Sequence, residues 1–187
     1  MKIVLLLIGL FIGISSFSQT EIISDVKNVI KPYSENPGYW QYKGKPTLLI
    51  GGTGNDNLFQ NKNLKTHLDS LKDAGGNYIR NTMSDRDIGN ERAFFRNIDD
   101  KYDLGKWNDV YWDKFENLLR FINERDIIVQ IEIWDRFDHS RDPWLTDPFN
   151  PKNNISYSYE QAKLDSLYPK HPGSNTHPFF FTVPTLI

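Results

Sequence analysis

The chain has 187 residues, 39% hydrophobic and 25% charged, with a formal net charge of −2 and no cysteine. Acids and bases are interspersed, which excludes the basic footprint of a nucleic-acid or acidic-membrane binder. The lack of cysteine excludes disulfides and a lipid-modified cysteine. Packing alone must hold the fold, and five Trp, nine Tyr and twelve Phe give an aromatic surplus that suits flat-faced ligands such as sugars wherever it lies on loops.

Residues 1–19 read as a cleavable signal peptide. Lys2 supplies the positive start, Ile3 to Ile14 the apolar core, and Ser15-Ser16-Phe17-Ser18 the small-residue stretch before Gln19. The apolar run is shorter than the roughly 20 residues that span a bilayer. The expectation is a secreted or periplasmic bacterial protein with no stable membrane insertion after cleavage, its domain occupying 20–187. Glu21 to Pro37 is a mixed lead-in with no sustained period. Pro37-Gly38 marks a turn, and Tyr39-Trp40-Gln41-Tyr42 with Lys43-Gly44-Lys45-Pro46 predicts a short strand and a hairpin turn.

Three strands and two helices then alternate. Thr47 to Ile50 predicts strand one, ending in the open loop Gly51-Gly52-Thr53-Gly54-Asn55-Asp56-Asn57. Leu64, Leu68 and Leu71 predict an amphipathic helix capped by Asn63 and stopped by Ala74-Gly75-Gly76. Asn77 to Arg80 predicts strand two. Thr82 to Asp109 is too long for a simple connection and reads as a functional loop or lid. A second helix from Asp109 carries Trp112, Phe115, Leu118, Leu119 and Ile122 on one face and ends near Arg125. Ile127 to Ile133 predicts strand three, with Val129, Ile131 and Ile133 on one side and Gln130, Glu132 and Trp134 on the other. A parallel strand buried on both faces is apolar throughout, so the polar side predicts an enclosed, wet or ligand-bearing interior, with Glu132 in a buried hydrogen-bonding role. Beyond Arg136 repeated prolines leave only a weak helical period around Tyr159 to Leu167.

Strand and helix alternation predicts an α/β fold with a parallel sheet, whose ligand site lies at the carboxyl ends of the strands. This places Asp56 after strand one, Arg80 at the end of strand two, and Trp134, Asp135 and His139 after strand three, beside Asp138 and Asp142. An indole face at a strand end suits the apolar face of a pyranose. Carboxylates and imidazole suit sugar hydroxyls, and a guanidinium forks onto a carboxylate and holds it ionised. The four histidines lack metal-ligand spacing. Gly52-Thr53-Gly54 fails as a dinucleotide loop because Asn57 stands at the third glycine position, so no metal or cofactor is expected.

Three quoted stretches carry a resemblance: Tyr42 to Gly52, Leu68 to Arg80, and Trp112 to Phe115 with Trp134-Asp135. Together they resemble the opening of clan-A TIM-barrel glycoside hydrolases, in particular secreted bacterial cellulase-like glycosidases, over about Asn36 to Asp138. The resemblance implies an incomplete (β/α)8 barrel: the first three strand and helix units, an N-terminal hairpin, and a long loop after strand three. It implies that Arg80 supports a nucleophilic carboxylate. It also implies that the general acid, usually an Asn-Glu at the end of strand four, and the nucleophile of strand seven lie outside this chain. The chain itself then holds no catalytic residue and is inactive alone. Two other readings remain open, a non-catalytic carbohydrate-binding or surface protein and a small independent α/β domain.

Overall fold

A computed structural model describes residues 29–133, 135, 137–139 and 142–164. The chain divides at Leu48 and Leu49 into two compact units, and the expected signal peptide lies outside the described residues.

In the first unit, β1 (Lys31–Pro32), β2 (Trp40–Tyr42) and β3 (Lys45–Thr47) form an antiparallel sheet in that order. Lys43 and Gly44 close the β2–β3 hairpin with φ of 50° and 77°, the two positive values that a type I′ turn needs. Pro32 and Pro46 fall on the two outer strands, where a missing N–H interrupts no central ladder. The hairpin therefore forms as predicted. The short strand β1 inside the lead-in was not legible, because two residues carry no period.

In the second unit, α1 (Leu64–Asp73) buries Leu64 and Leu68. Asn63 stands at its N-cap, yet its side chain makes no capping bond, which corrects that expectation. The C-terminal stop is as expected: Gly75, at φ 82°, donates to Lys72 O and Gly76 to Leu71 O, the two bonds of a Schellman motif. β4 (Tyr78–Thr82) follows directly. α2 (Asp109–Glu124) starts at Asn108, whose side chain accepts from Val110 N, and leads into β7 (Ile128–Glu132), which pairs with β4 in parallel from Tyr78↔Ile128 to Thr82↔Glu132.

Strand one shrinks to a single parallel bridge, Gly51↔Tyr78. Thr47 belongs to β3, and Ile50 is held by the Asn77 side chain, which accepts from Ile50 N at 2.8 Å while Asn77 N donates to Ile50 O at 2.8 Å. Farther along, Thr82 N donates to Asp56 O at 2.6 Å, so residues 50–56 run along the edge of β4 without forming a ladder.

The expected loop over 82–109 contains a second hairpin, β5 (Phe94–Arg96) with β6 (Tyr102–Trp107). Its register jumps from Phe95↔Asp103 to Phe94↔Trp107, and this irregularity hid the period-two pattern from sequence reasoning. Past β7 the chain forms 3-10 turns at Pro143–Leu145 and Pro151–Asn153 and the four-residue α3 (Tyr159–Ala162); Trp144 is buried here, and a parallel bridge Tyr102↔Asn154 ties the segment to β6.

The main core lies between β4, α1, α2 and the 3-10 turn Leu58–Gln60: Leu58, Phe59, Leu64, Leu68, Ile79, Tyr111, Leu118, Ile122 and Ile127. Tyr111 was not expected there; its ring meets Phe59 edge-on at 4.9 Å and its hydroxyl donates to Met83 O at 2.8 Å. Leu119, expected inside, is exposed. The architecture is mixed α/β with three small sheets, and no closed barrel forms among the described residues.

Candidate functional site

The carboxyl ends of β4 and β7 and the loop after Gly51 deliver their side chains to one place. The turn 84–86 leaves β4, 135–139 leaves β7, and Asp56 follows the Gly51 bridge. At their meeting point Arg86 bonds three carboxylates: Nη2 to Asp56 Oδ2 at 2.5 Å, Nη1 to Asp135 Oδ2 at 2.5 Å and Nη1 to Asp138 Oδ1 at 2.6 Å. Burial works against the Arg86 charge, and the bonds to Asp138 and Asp135 outweigh it, holding its proton more tightly than usual.

Asp138 ties the two loops together. It is buried and accepts from Ser84 Oγ at 3.1 Å and Asp85 N at 3.3 Å besides Arg86. Burial pushes its carboxyl above the ordinary range, while Arg86 and Ser84 pull it down. Asp85 is also pushed up by burial, against the pull of Arg92, whose Nη1 bonds it at 2.5 Å and whose Nη2 donates to Thr146 Oγ1 at 3.1 Å. Buried Asn57 pins the same loop through Asp87 Oδ2 at 2.9 Å.

Arg80 stands apart from this hub on the open face of the parallel pair. Its Nε and Nη2 form a fork on Glu132, both at 2.6 Å. Glu132 is therefore a half-exposed ion-pair partner, not the buried group expected. The hydrogen bond from Arg80 holds its carboxyl below the usual range. Gln130 joins them at 3.3 Å and Tyr78 OH donates to Gln130 at 2.5 Å. One face of the pair thus carries Tyr78, Arg80, Gln130 and Glu132, as the polar alternation of strand three predicts, while Ile79 turns to the helices. Ile131 and Ile133 remain 39% and 83% exposed. Strand three is thus only partly covered on its apolar side, and on the polar side, where an enclosed interior was expected, Arg80 and Glu132 stand open to solvent among the described residues.

His139 belongs to a neighbouring cluster, its Nδ1 2.6 Å from Asp147 Oδ2 and its ring 5.4 Å from Phe149. Asp147 also accepts from Phe149 N at 2.7 Å, which fixes the carboxylate and thereby the imidazole.

Of the expected site residues, Asp56 and Asp135 meet on Arg86, Arg80 pairs with Glu132, His139 pairs with Asp147, and Trp134 lies outside the described residues. Sequence reasoning missed Arg86, Ser84, Asp85 and Arg92. For Ser84, Asp85 and Arg86 the signal was positional, since they follow the end of the parallel strand β4 after Met83 alone; Arg92 carried none. Chemically, the arrangement is an array of oriented carboxylate acceptors around a fixed cation, suited to hydroxyl donors. Among the described residues no three His, Cys, Asp or Glu side chains are grouped to hold a metal ion. No family model, curated protein or solved structure matches the chain.

Proposed function

We infer that this chain forms the opening strand and helix units of a secreted (β/α)8 glycoside hydrolase and contributes substrate-binding groups to it. One observation carries the reading: loops at the carboxyl ends of successive parallel strands converge on Asp56, Arg86, Asp135 and Asp138, the end at which such folds bind ligands. The polar face of β4 and β7 supports it, since barrel strands turn such a face inward. A retaining mechanism needs two carboxyl groups about 5–5.5 Å apart, one protonated to release the leaving group and one ionised to attack. In this reading both follow later strands. The present chain binds and orients the glycan: Asp56 and Asp135 accept from hydroxyls, and Arg86, bonded to both, fixes their orientation.

The test is the coding DNA downstream of Ile187 together with calorimetric titration of oligosaccharides into the full chain. The reading expects a further strand ending in Asn-Glu. A stop codon immediately after Ile187, in a chain that binds no oligosaccharide, would refute it.

A second reading keeps the glycan and drops the chemistry. It draws on Arg80, whose fork is occupied by Glu132 and so is not presented to a nucleophilic carboxylate. Glycan binding without turnover by the complete gene product would decide for it.

A further inference from the structure

Trp107 closes β6 directly before α2, on the same long connection that carries Arg86. Between the pairs Phe95↔Asp103 and Phe94↔Trp107 the segment Leu104-Gly105-Lys106 loops out of the hairpin. This bulge is tied down at each residue: Leu104 N donates to Ser156 Oγ at 3.0 Å, Gly105 N to Asp103 Oδ1 at 3.0 Å, and Lys106 Nζ pairs with Asp103 at 2.9 Å. Bulges of this kind re-aim a side chain, and the one re-aimed here is Trp107.

The indole lands on a built support. One face stacks on Phe94 at 5.3 Å and 21°, and the ring meets Trp112 in an edge-to-face pair at 4.9 Å. Trp112 is itself fixed by a bond from Nε1 to Ala93 O at 3.1 Å. A tryptophan supported in this way is normally core, yet Trp107 is 61% exposed. Phe94 takes one side of the ring, and the exposed remainder of the indole is a flat aromatic surface backed by that support. The support continues into the site already described, since Phe94 meets Phe149 at 5.5 Å and Phe149 meets His139 at 5.4 Å.

The rim decides what the face receives. Lys106 and Asp103, in and before the bulge that leads to Trp107, pair with each other, so the bulge adds no net charge. A nucleobase carried on a phosphate chain would also face a protein of net charge −2. A neutral ligand with a flat patch of C–H bonds fits, and a β-linked pyranose with equatorial hydroxyls presents such a patch on each side. We propose that Trp107, stacked on Phe94, is a platform for a neutral gluco- or xylo-configured sugar ring of a glycan that runs past His139 toward Arg86. This rests on the carbohydrate reading above and adds to it the sugar class and the subsite.

The test is calorimetric titration of the full chain with cellohexaose and xylohexaose, comparing Trp107→Leu, which keeps apolar bulk over Phe94 but removes the flat face, with Trp107→Phe, which keeps a smaller one. The wild type should bind at least one probe. Trp107→Leu should weaken it by about tenfold or more, and Trp107→Phe by clearly less, with thermal melts of both variants close to the wild type. Binding left unchanged by Trp107→Leu would overturn the platform and leave the carbohydrate reading standing. No binding of either probe by the wild type would overturn the platform. Sedimentation showing that Trp107 holds two copies together, unaffected by the probes, would overturn it as well.

Discussion

Arg86→Ala is expected to destabilise the protein by about 3 kcal/mol at pH 7, and the loss should shrink in acid. The magnitude follows from the burial of the three carboxylates. Asp56 keeps 33% of its side-chain surface in water, so solvent replaces most of what the guanidinium gave and its share is a few tenths of a kcal/mol. Asp135 and Asp138 keep only 10% and 6%. Removing one partner of a buried pair costs about 3–5 kcal/mol because a charge is left uncompensated. Asp138 retains Ser84 and Asp85 N as donors, which places the expectation at the lower end.

The pH dependence has a definite sign. Burial already raises the Asp138 carboxyl in the folded state, and deleting Arg86 raises it further. An acid whose folded pKa exceeds its unfolded value of about 3.9 binds protons more readily when folded, so stability is lost as pH rises through that interval and regained as pH falls. Urea unfolding of wild type and variant at pH 7 and pH 4 measures both quantities. A difference below about 0.5 kcal/mol at pH 7, which is the range of an ordinary surface substitution, would refute the reasoning. So would a difference equal at the two pH values.

Leu68→Ala, at a fully buried position between α1, β4 and α2, should cost about 3–5 kcal/mol in chemical unfolding; a smaller loss would mean that this core is loosely packed. Gly51→Ala would set a Cβ 1.7 Å from Tyr78 O, and hydrogen exchange should show Asn77 and Tyr78 N–H losing protection as the chain at Ile50 is pushed off β4. Asn81→Ala leaves the buried Phe59 N–H without its 3.0 Å acceptor and should cost about 1–3 kcal/mol by the same unfolding assay. Glu132→Gln breaks an exposed ion pair and should cost no more than about 1 kcal/mol. Because Arg80 lowers the folded pKa of Glu132, that contribution is present above the unfolded value and fades as pH falls through the folded one. A loss that grew toward acid would contradict it.

The helices were legible because their signal is local and repeated. Leu64, Leu68 and Leu71 lie one turn apart, and Gly75 permits the left-handed exit that ends α1. β4 and β7 were legible for the same reason, and so was the polar face of Gln130 and Glu132. Strand one was misread because Thr47 to Ile50 is as apolar as a strand. Its partner choice, with Thr47 taken by the β2–β3 hairpin and Ile50 held by the Asn77 side chain, depends on groups distant in the chain. The β5–β6 hairpin escaped because its three-residue bulge breaks the alternation.

For the candidate site, sequence placed Asp56, Asp135 and His139 at strand ends but could not say with whom they pair. Coulomb attraction is not periodic: a guanidinium chooses partners by distance once the backbone is set, and Arg86 reaches acids 30, 49 and 52 residues away. The sequence by itself determined where the helices and parallel strands form and which strand ends carry polar groups, since those follow from side chains within a few turns of each other. Only the tertiary structure decided that Arg86 gathers the carboxylates, that Arg80 is spoken for by Glu132, and that Trp107 stands exposed on Phe94. Those outcomes depend on which residues folding brings within contact, and spacing along the chain does not encode that.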